Sequence, residues 1–553
     1  MKHLTKISIS FFLLSIFCMP LIGGEIKIKV TKKYLNLPVS HQVERGRMSL
    51  EVDGKEDHSF VIRLAEAEAD YWVFCDMTPF KGKTITIKYD GKDAGLNKIY
   101  QDDEIEGQST LYAEKNRPQF HFTPQRGWVN DPNGLIYYEG KYHLFFQHNP
   151  YERDWENMHW GHAVSTDLVH WEQLPVALYP DHLGTMYSGS AVIDYNNTAG
   201  YNKGNKPAMI AFYTAAASDR QTQCMAYSLD EGITWTKYDK NPLIDSKEIW
   251  NSVDTRDPKV FWYAPSKHWV MVLNERDGHS IYTSNNLKEW TYQSHVTGFW
   301  ECPELFELPI DGDQNNKKWV MYGASGAYML GSFDGKVFTP EAGKYYYTAG
   351  RIYAAQTYSN IPKEDGRVIQ IGWGRVSHPD MAFNGMMLLP TQLTLKTTKD
   401  GPRLYSMPVK EVEQLFTSVK KWTALSSKDA NDKLKEFYDA DRLRIKTTIK
   451  LSHATNAGFN LFGQQMIGYD MNNNMLNGMF YSPQDMTSME LTADIYIDRT
   501  SIEVFIDGGA YSYSMERRPD KNNKEGLHFW GNNIEVKNVE VFSVKSIWDS
   551  AKK

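Results

Sequence analysis

Apolar and polar residues alternate in short runs along the chain, and turn-forming residues separate the runs. A period of two predicts strands with one buried face. In region 25–112 the runs are 26–30, 48–52, 59–64, 71–75 and 84–89, with Asp53-Gly54 and Asp90-Gly91 as turns between them. This predicts an N-terminal β-sandwich-like domain. The acidic Gln101-Asp102-Asp103-Glu104 reads as a solvated link to the next region.

Region 113–408 carries a weak internal repeat. Ser165-Thr166-Asp167-Leu168-Val169-His170-Trp171 returns as Ser228-Leu229-Asp230-Glu231-Gly232-Ile233-Thr234-Trp235 and as Ser284-Asn285-Asn286-Leu287-Lys288-Glu289-Trp290. A worn copy is Ser332-Phe333-Asp334-Gly335-Lys336-Val337-Phe338. Each is a polar turn closed by a ring, and a strand-only repeat of about 50 to 60 residues suits propeller blades. Five segments begin with a polar residue and run into a strand, starting at Asp131, Ser188, Asp257, Glu301 and Tyr353. Five starts predict five blades. The heads of the inner strands then point into one shared funnel, although they lie far apart in sequence.

Region 409–553 is strand-like again at 443–451, 491–498, 501–507 and 534–543, with Asp507-Gly508-Gly509 as a hairpin turn. A second β-sandwich packed on the propeller fits, and the polar stretch 426–435 reads as a surface loop. The predicted architecture is all-β: an N-terminal β-sandwich-like domain, a five-bladed β-propeller and a C-terminal β-sandwich. Residues 1–24 stand apart. Lys2, His3 and Lys6 precede an uncharged apolar run at 7–22, and Gly23-Gly24 offers small residues before Glu25. This is the pattern of a secretory signal peptide, and the run is short for a membrane helix. No later stretch is long and apolar enough to span. The expected location is the periplasm, with secretion or a lipid anchor on Cys18 as alternatives. Bulky Phe17 before Cys18 speaks against the anchor.

Composition narrows the classes. Of 553 residues 41% are hydrophobic and 23% charged, which excludes a disordered chain. With 61 Lys and Arg against 68 Asp and Glu, and no basic block, nucleic acid or an anionic membrane is not the expected partner. Rings are abundant, with 16 Trp, 33 Tyr and 25 Phe. They suit strands, and flat rings also stack on sugar faces. Beyond the signal segment Cys75, Cys224 and Cys302 form no disulfide framework, so stability must come from packing.

Three acids stand out by context. Asp131 lies in Trp128-Val129-Asn130-Asp131-Pro132-Asn133-Gly134, Asp257 in Thr255-Arg256-Asp257-Pro258, and Glu301 in Phe299-Trp300-Glu301-Cys302-Pro303. A nearby proline stiffens the backbone after each one. Such pairs also mark ordinary turns, but three at equivalent places in a repeat point to a site. Carboxylates in a ring-lined funnel suggest glycoside hydrolysis, one attacking the anomeric carbon and another delivering a proton. Burial near Trp300 would raise the pKa of Glu301, as a proton donor needs, and Arg256 would keep Asp257 ionised. His159-Trp160-Gly161-His162 lacks the ligand shell of a metal site. Cys302 has no His partner and is expected to pack beside Glu301.

These motifs resemble glycoside hydrolase family 32, the invertase, inulinase and levanase family. So do Trp160-Gly161-His162-Ala163-Val164-Ser165, Tyr187-Ser188-Gly189-Ser190, Leu389-Pro390-Thr391-Gln392-Leu393-Thr394-Leu395 and Asp498-Arg499-Thr500-Ser501-Ile502-Glu503-Val504-Phe505. The resemblance covers about residues 115–545 and implies a retaining mechanism on β-linked fructosyl units, without metal or cofactor. It implies Asp131 as nucleophile, Glu301 as general acid/base and Asp257 as stabiliser of the transition state. It also implies that Trp128, Asn130, Gln147, Trp155, Ser188 and Arg256 line the fructose pocket. The implied substrates are levan, inulin and sucrose, cut from the end. An endo-acting levanase or inulinase, a fructosyltransferase, a pentose-linkage hydrolase of another five-bladed family and a non-catalytic carbohydrate-binding protein are the alternatives. Tyr187, Arg351-Ile352 and Trp373-Gly374-Arg375 depart from the commoner family pattern, and are expected at or near the funnel mouth. The N-terminal region looks like an accessory domain found on some gut-bacterial members.

Overall fold

A computed structural model describes residues 23–451, 456–480, 489–518 and 525–548. The apolar run at 7–22 and Cys18 lie outside the described residues. In the N-terminal region Gly24–Lys29, Thr84–Tyr89, Gly46–Val52 and Lys55–Ile62 pair in that order as an antiparallel sheet. Tyr71–Asp76, Tyr34–Val39 and Tyr100–Asp102 form a second sheet. Leu35, Leu37, Met48, Leu50, Ile85 and Ile87 are buried in one core shared by the two sheets. Tyr34–Val39 escapes the sequence pattern because Pro38 is a poor strand signal. The third strand pairs only with Tyr34, Leu35 and Asn36, so Pro38 lies beyond that ladder.

Residues 101–104 are not a free link. Gln101 and Asp102 belong to the edge strand, Asp103 accepts from Lys32 Nζ at 2.6 Å, and the Glu104 carbonyl accepts from Asn36 at 3.1 Å. An edge strand has solvated flanks, so acidic residues suit it.

The propeller follows. Its innermost strands are Gly127–Tyr138, Thr185–Asp194, Arg256–Tyr263, Glu304–Ile310 and Ile352–Thr357. Each starts an antiparallel blade that runs outward, the first through Lys141–Asn149 and His159–Ser165 to Glu172–Leu178. The repeated serines sit at or near the turn into the outermost strand. Ser165 Oγ accepts from Asp167 N at 3.1 Å, Ser228 Oγ from Gly232 N at 2.9 Å, and Ser284 Oγ from Leu287 N at 2.8 Å. In the worn copy Asp334 alone accepts, from Lys336 N and Val337 N at 2.8 Å. The repeat is thus a turn held by its own polar side chains.

The C-terminal region packs a seven-stranded sheet, with Leu443–Lys450 and Ser501–Ile506 inside it, against a five-stranded one. Ile445, Phe459, Ile467, Ile495, Val504 and Phe529 lie in the core between them. Thr348–Gly350 of the propeller is one of the seven strands of the larger sheet, at its edge and parallel to its neighbour Tyr511–Glu516. The stretch expected as a loop at 426–435 is largely helix, Ser427–Leu434. Ser426 caps it by accepting from Asp429 N at 3.1 Å, and Ala430 and Leu434 are buried on one face. Polar composition hid an amphipathic turn pair from the sequence reading.

Candidate active site

The inner strands bulge where they carry their polar heads. Register shifts fall between Val129 and Pro132, Tyr187 and Gly189, Arg256 and Lys259, and Tyr353 and Gln356. A bulge re-aims side chains at the rim of a sheet. Asp257, Glu301, Cys302 and Ala354 take left-handed backbone there, with φ of 67°, 49°, 44° and 51°. Left-handed geometry at four non-glycine residues is uncommon and clusters at functional sites. Asp131 and Asp257 therefore lie inside their strands, not ahead of them, while Glu301 precedes its strand.

Three blades meet at these acids. Asp131 Oδ2 accepts from Ser188 Oγ at 2.7 Å, and Oδ1 from Asn130 Nδ2 at 3.0 Å. Trp128 Nε1 in turn donates to Asn130 Oδ1 at 2.7 Å, fixing that amide. Asp257 Oδ2 accepts from Cys302 N at 2.9 Å and from the Cys302 thiol at 3.5 Å, and the same thiol stands 3.8 Å from Asp131 Oδ2. Arg256 Nη2 donates to Glu301 Oε1 at 2.6 Å, and the Tyr353 hydroxyl donates to Glu301 Oε2.

Electrostatics divides these groups. Burial pushes the Asp131 carboxyl up, and the Glu301 charge adds to the rise; the Ser188 and Asn130 hydrogen bonds and the Arg256 charge oppose it. Asp257 is pushed up to about 7, chiefly by burial, against the pull of Arg256. Arg256 therefore does not hold Asp257 ionised, as its neighbourhood in sequence suggests. Its Nε is 4.0 Å from Asp257, and desolvation outweighs a charge at that distance. Nor does Trp300 bury Glu301: its side chain is 47% exposed, and the partners of Glu301 are Arg256 and Tyr353.

Asp131, Asp257 and Cys302 bring one donor atom each within 4.8 Å of one another. That spacing alone could fit a cation. The donor chemistry describes hydrogen bonds instead, because burial and then the neighbouring acids push the Cys302 thiol well above its usual value. A protonated thiol donates to carboxylates and is a poor metal ligand. His159 and His162 lie elsewhere in the first blade. His159 contacts the Asn157 carbonyl and His162 stacks on Phe145 at 4.1 Å.

A family model described as the glycosyl hydrolases family 32 N-terminal domain matches residues 121–408, and the family 32 C-terminal model matches 411–546. The chain belongs to glycosyl hydrolase family 32. A domain of unknown function (DUF4980) matches residues 25–121. The levanase of Bacillus subtilis (strain 168) is 40% identical over 493 residues, covering 80% of this chain and 72% of its own. An extracellular exo-inulinase of Aspergillus niger (strain ATCC MYA-4892 / CBS 513.88 / FGSC A1513) is 34% identical over 522 residues, covering 79% and 96%. The crystal structure of the Aspergillus awamori exo-inulinase superposes with a TM-score of 0.67 at 28% identity, covering 79% of this chain and all of that one.

Trp128, Gln147 and Trp155, the remaining expected wall residues of this family 32 chain, lie on the first two strands of the first blade and the loop after them. Trp128 meets Trp373 edge-on at 5.8 Å, and Trp373 meets Tyr353 at 6.4 Å. Gln147 is buried on the second strand of the first blade, its Nε2 3.0 Å from the side-chain oxygen of Asn133 once that amide is turned to accept. Trp155 is half exposed on the loop after that strand and meets Tyr187 edge-on at 6.0 Å. Two of the unusual positions turn away from the mouth. Arg351 reaches Glu516 of the C-terminal sandwich at 3.8 Å, and Ile352 packs on the buried cluster of Val376, Met386 and Leu388. Arg375 stays near the site, its guanidinium 4.8 Å above the Tyr353 ring. In the sequence Tyr353 stands only as the head of a strand. Its contact with Glu301 depends on the bulge after it, which the sequence does not announce.

Proposed function

We propose that this protein is a β-fructosidase that hydrolyses levan- and inulin-type fructans and sucrose with retention, releasing fructose from chain ends. The observation that carries this reading is the convergence of Asp131, Asp257 and Glu301 from three blades around the Cys302 thiol and the Arg256 guanidinium. The Asp131 carboxylate attacks the anomeric carbon of the fructosyl unit, while Glu301 passes a proton to the departing oxygen. Glu301 then takes a proton from water, and the hydroxide displaces Asp131. Ser188 and Asn130 fix the two Asp131 oxygens before attack, so little reorganisation accompanies it. Arg256 and Tyr353 hold the two oxygens of Glu301. Asp257 accepts from ring hydroxyls, and those bonds strengthen as positive charge develops on the sugar.

The names of the levanase and exo-inulinase relatives support the substrate class. The N-terminal segment and a relative described as extracellular support export, to the periplasm as the first choice of compartment. Among the described residues no helix is long and apolar enough to cross a membrane. A chromatographic time course on levan, inulin and sucrose tests the reading, with NMR of the first sugar released. Free fructose alone from the earliest points, in the β-anomeric form, is the expected result. Early oligosaccharides would assign an endo enzyme, and transfer to an acceptor sugar a transferase. No release from any of the three would overturn the reading.

A further inference from the structure

The loop that carries Trp155 is gripped from outside the propeller. It leaves Lys141–Asn149 and returns at His159–Ser165. Glu152 within it is wholly buried although it is a carboxylate. Its two oxygens face the N-terminal sandwich. Arg45 donates to Oε2 through Nε at 2.9 Å and Nη2 at 2.7 Å, Arg63 Nη1 donates to Oε2 at 2.8 Å, and Arg63 N donates to Oε1 at 2.7 Å. Arg63 Nη1 also reaches Asp154 at 2.8 Å, and Arg45 Nη1 reaches Glu156 at 3.4 Å. The residues on both sides of Trp155 are therefore tied to the same two guanidiniums.

Neutral contacts extend the grip along the loop. Phe60 stacks on Tyr151 with ring centroids 3.5 Å apart. Asn157 makes a two-way pair with the backbone of Val61, at 2.9 Å and 2.8 Å. Tyr71 accepts from Arg153 N at 3.2 Å. The Arg153 guanidinium then donates to the Met381 carbonyl at 3.1 Å. Beside it, the Ala382 carbonyl accepts from Gly127 N at 2.8 Å, at the start of the strand that carries Asp131. One surface of the N-terminal sandwich thus touches the rim loop directly, and it touches the root of the Asp131 strand through Ala382, which packs against the sandwich core.

We infer that the N-terminal domain is a brace for the substrate rim: Arg45 and Arg63, through buried Glu152, position Trp155 for the sugar entering the funnel. Arg45, Arg63 and Glu152 are positioning residues, since none touches the three acids. A loop bearing a half-exposed tryptophan loses side-chain and backbone freedom when it binds a sugar, and a pre-ordered loop has less to lose. Doubly paired guanidiniums suit this task because their geometry is fixed as well as their charge.

The inference rests on the fructosidase reading only in its kinetic arm. In the full-length protein, R45A/R63A is expected to raise hydrogen exchange in residues 150–158 while the blade strands keep their protection. KM for sucrose and short fructans is expected to rise about ten-fold, with kcat within about two-fold of wild type. Combined with W155A, the pair adds nothing further to KM, because both changes remove the same placed ring. E152Q keeps the side-chain shape and gives a second route should the double arginine variant fold poorly. Unchanged exchange in the loop would overturn the brace. A KM effect that adds fully to that of W155A would overturn the link to Trp155. A wild-type enzyme silent on fructans would sink the fructosidase reading and leave the exchange arm to decide the brace.

Discussion

Arg256 stands 2.6 Å from Glu301 and 4.0 Å from Asp257, its neighbour in the chain. One guanidinium therefore serves the acid of a different blade by hydrogen bond and its own neighbour only by field. The same charge lowers the pKa of both Asp131 and Asp257. In R256L both carboxyls rise, so each needs a higher pH to ionise. The acidic limb of the kcat/KM profile, which reports a nucleophile that must be charged, is expected to move to higher pH. The loss at the optimum is expected to reach about 100-fold, as for a buried charge-assisted contact. A profile of unchanged position would separate Arg256 from the ionisation of Asp131.

The roles of Asp131 and Glu301 are separable from folding. D131N and E301Q preserve size and most hydrogen-bond geometry, so each is expected to melt within a few degrees of wild type. E301Q is expected to lose about 10² to 10⁴ of its turnover, the worth of a positioned acid/base. D131N loses at least as much, because no covalent intermediate forms. The double variant falls little below D131N alone, since the residues act as a unit. Fructose release from sucrose checks all three, and undiminished turnover in either single variant would remove that residue from its role.

Asp257 is buried with a carboxyl pushed up from 3.8 to about 7. An acid whose folded pKa is raised binds its proton more tightly when folded. It opposes folding more and more as pH climbs from the unfolded value through the folded one. D257N removes that cost. At pH 8 the variant is expected to be the more stable protein, by on the order of 4 kcal/mol at most. Near pH 4 the difference closes. Urea unfolding at the two pH values measures it, and equal stabilities at pH 8 would show that Asp257 ionises without strain.

Much of this was readable from residue order. The five polar strand heads are local patterns, and local patterns survive in a single sequence. The acids could be picked out because proline and tryptophan mark their surroundings. What escaped depends on long-range geometry. Arg45 and Glu152 meet across 107 positions, and nothing near either residue points to the other. Tyr353 reaches Glu301 only because a bulge turns it inward. The reading of Trp300 fails for a related reason: Trp300 and Glu301 lie ahead of the strand, where left-handed backbone at Glu301 and Cys302 removes the simple rule for which neighbours share a face, and Glu301 turns to Arg256 and Tyr353. The helix Ser427–Leu434 was missed because its buried face has only small or isolated apolar residues.

The seam between propeller and C-terminal sandwich holds a buried ion triad. His121 Nδ1 stands 2.8 Å from Asp498 and Nε2 2.7 Å from Glu503. Both acids lie in the Asp498–Glu503 motif, so that motif secures the seat of the catalytic domain. Burial alone would lower the His121 pKa, but the two carboxylates override it and raise it from 6.5 to about 9. A histidine with a raised folded pKa contributes its full stability below the unfolded value and loses it as pH rises through the folded value. Unfolding free energy is therefore expected to fall between pH 6.5 and 9, by about 3 kcal/mol from this group. H121Q takes the imidazolium from between two buried carboxylates, and should cost about 3 to 5 kcal/mol at pH 6. It should also flatten the decline toward pH 9. Denaturant unfolding of both proteins across that range is the check, and a wild-type curve that stays level from pH 6.5 to 9 would mean that His121 is neutral in the fold.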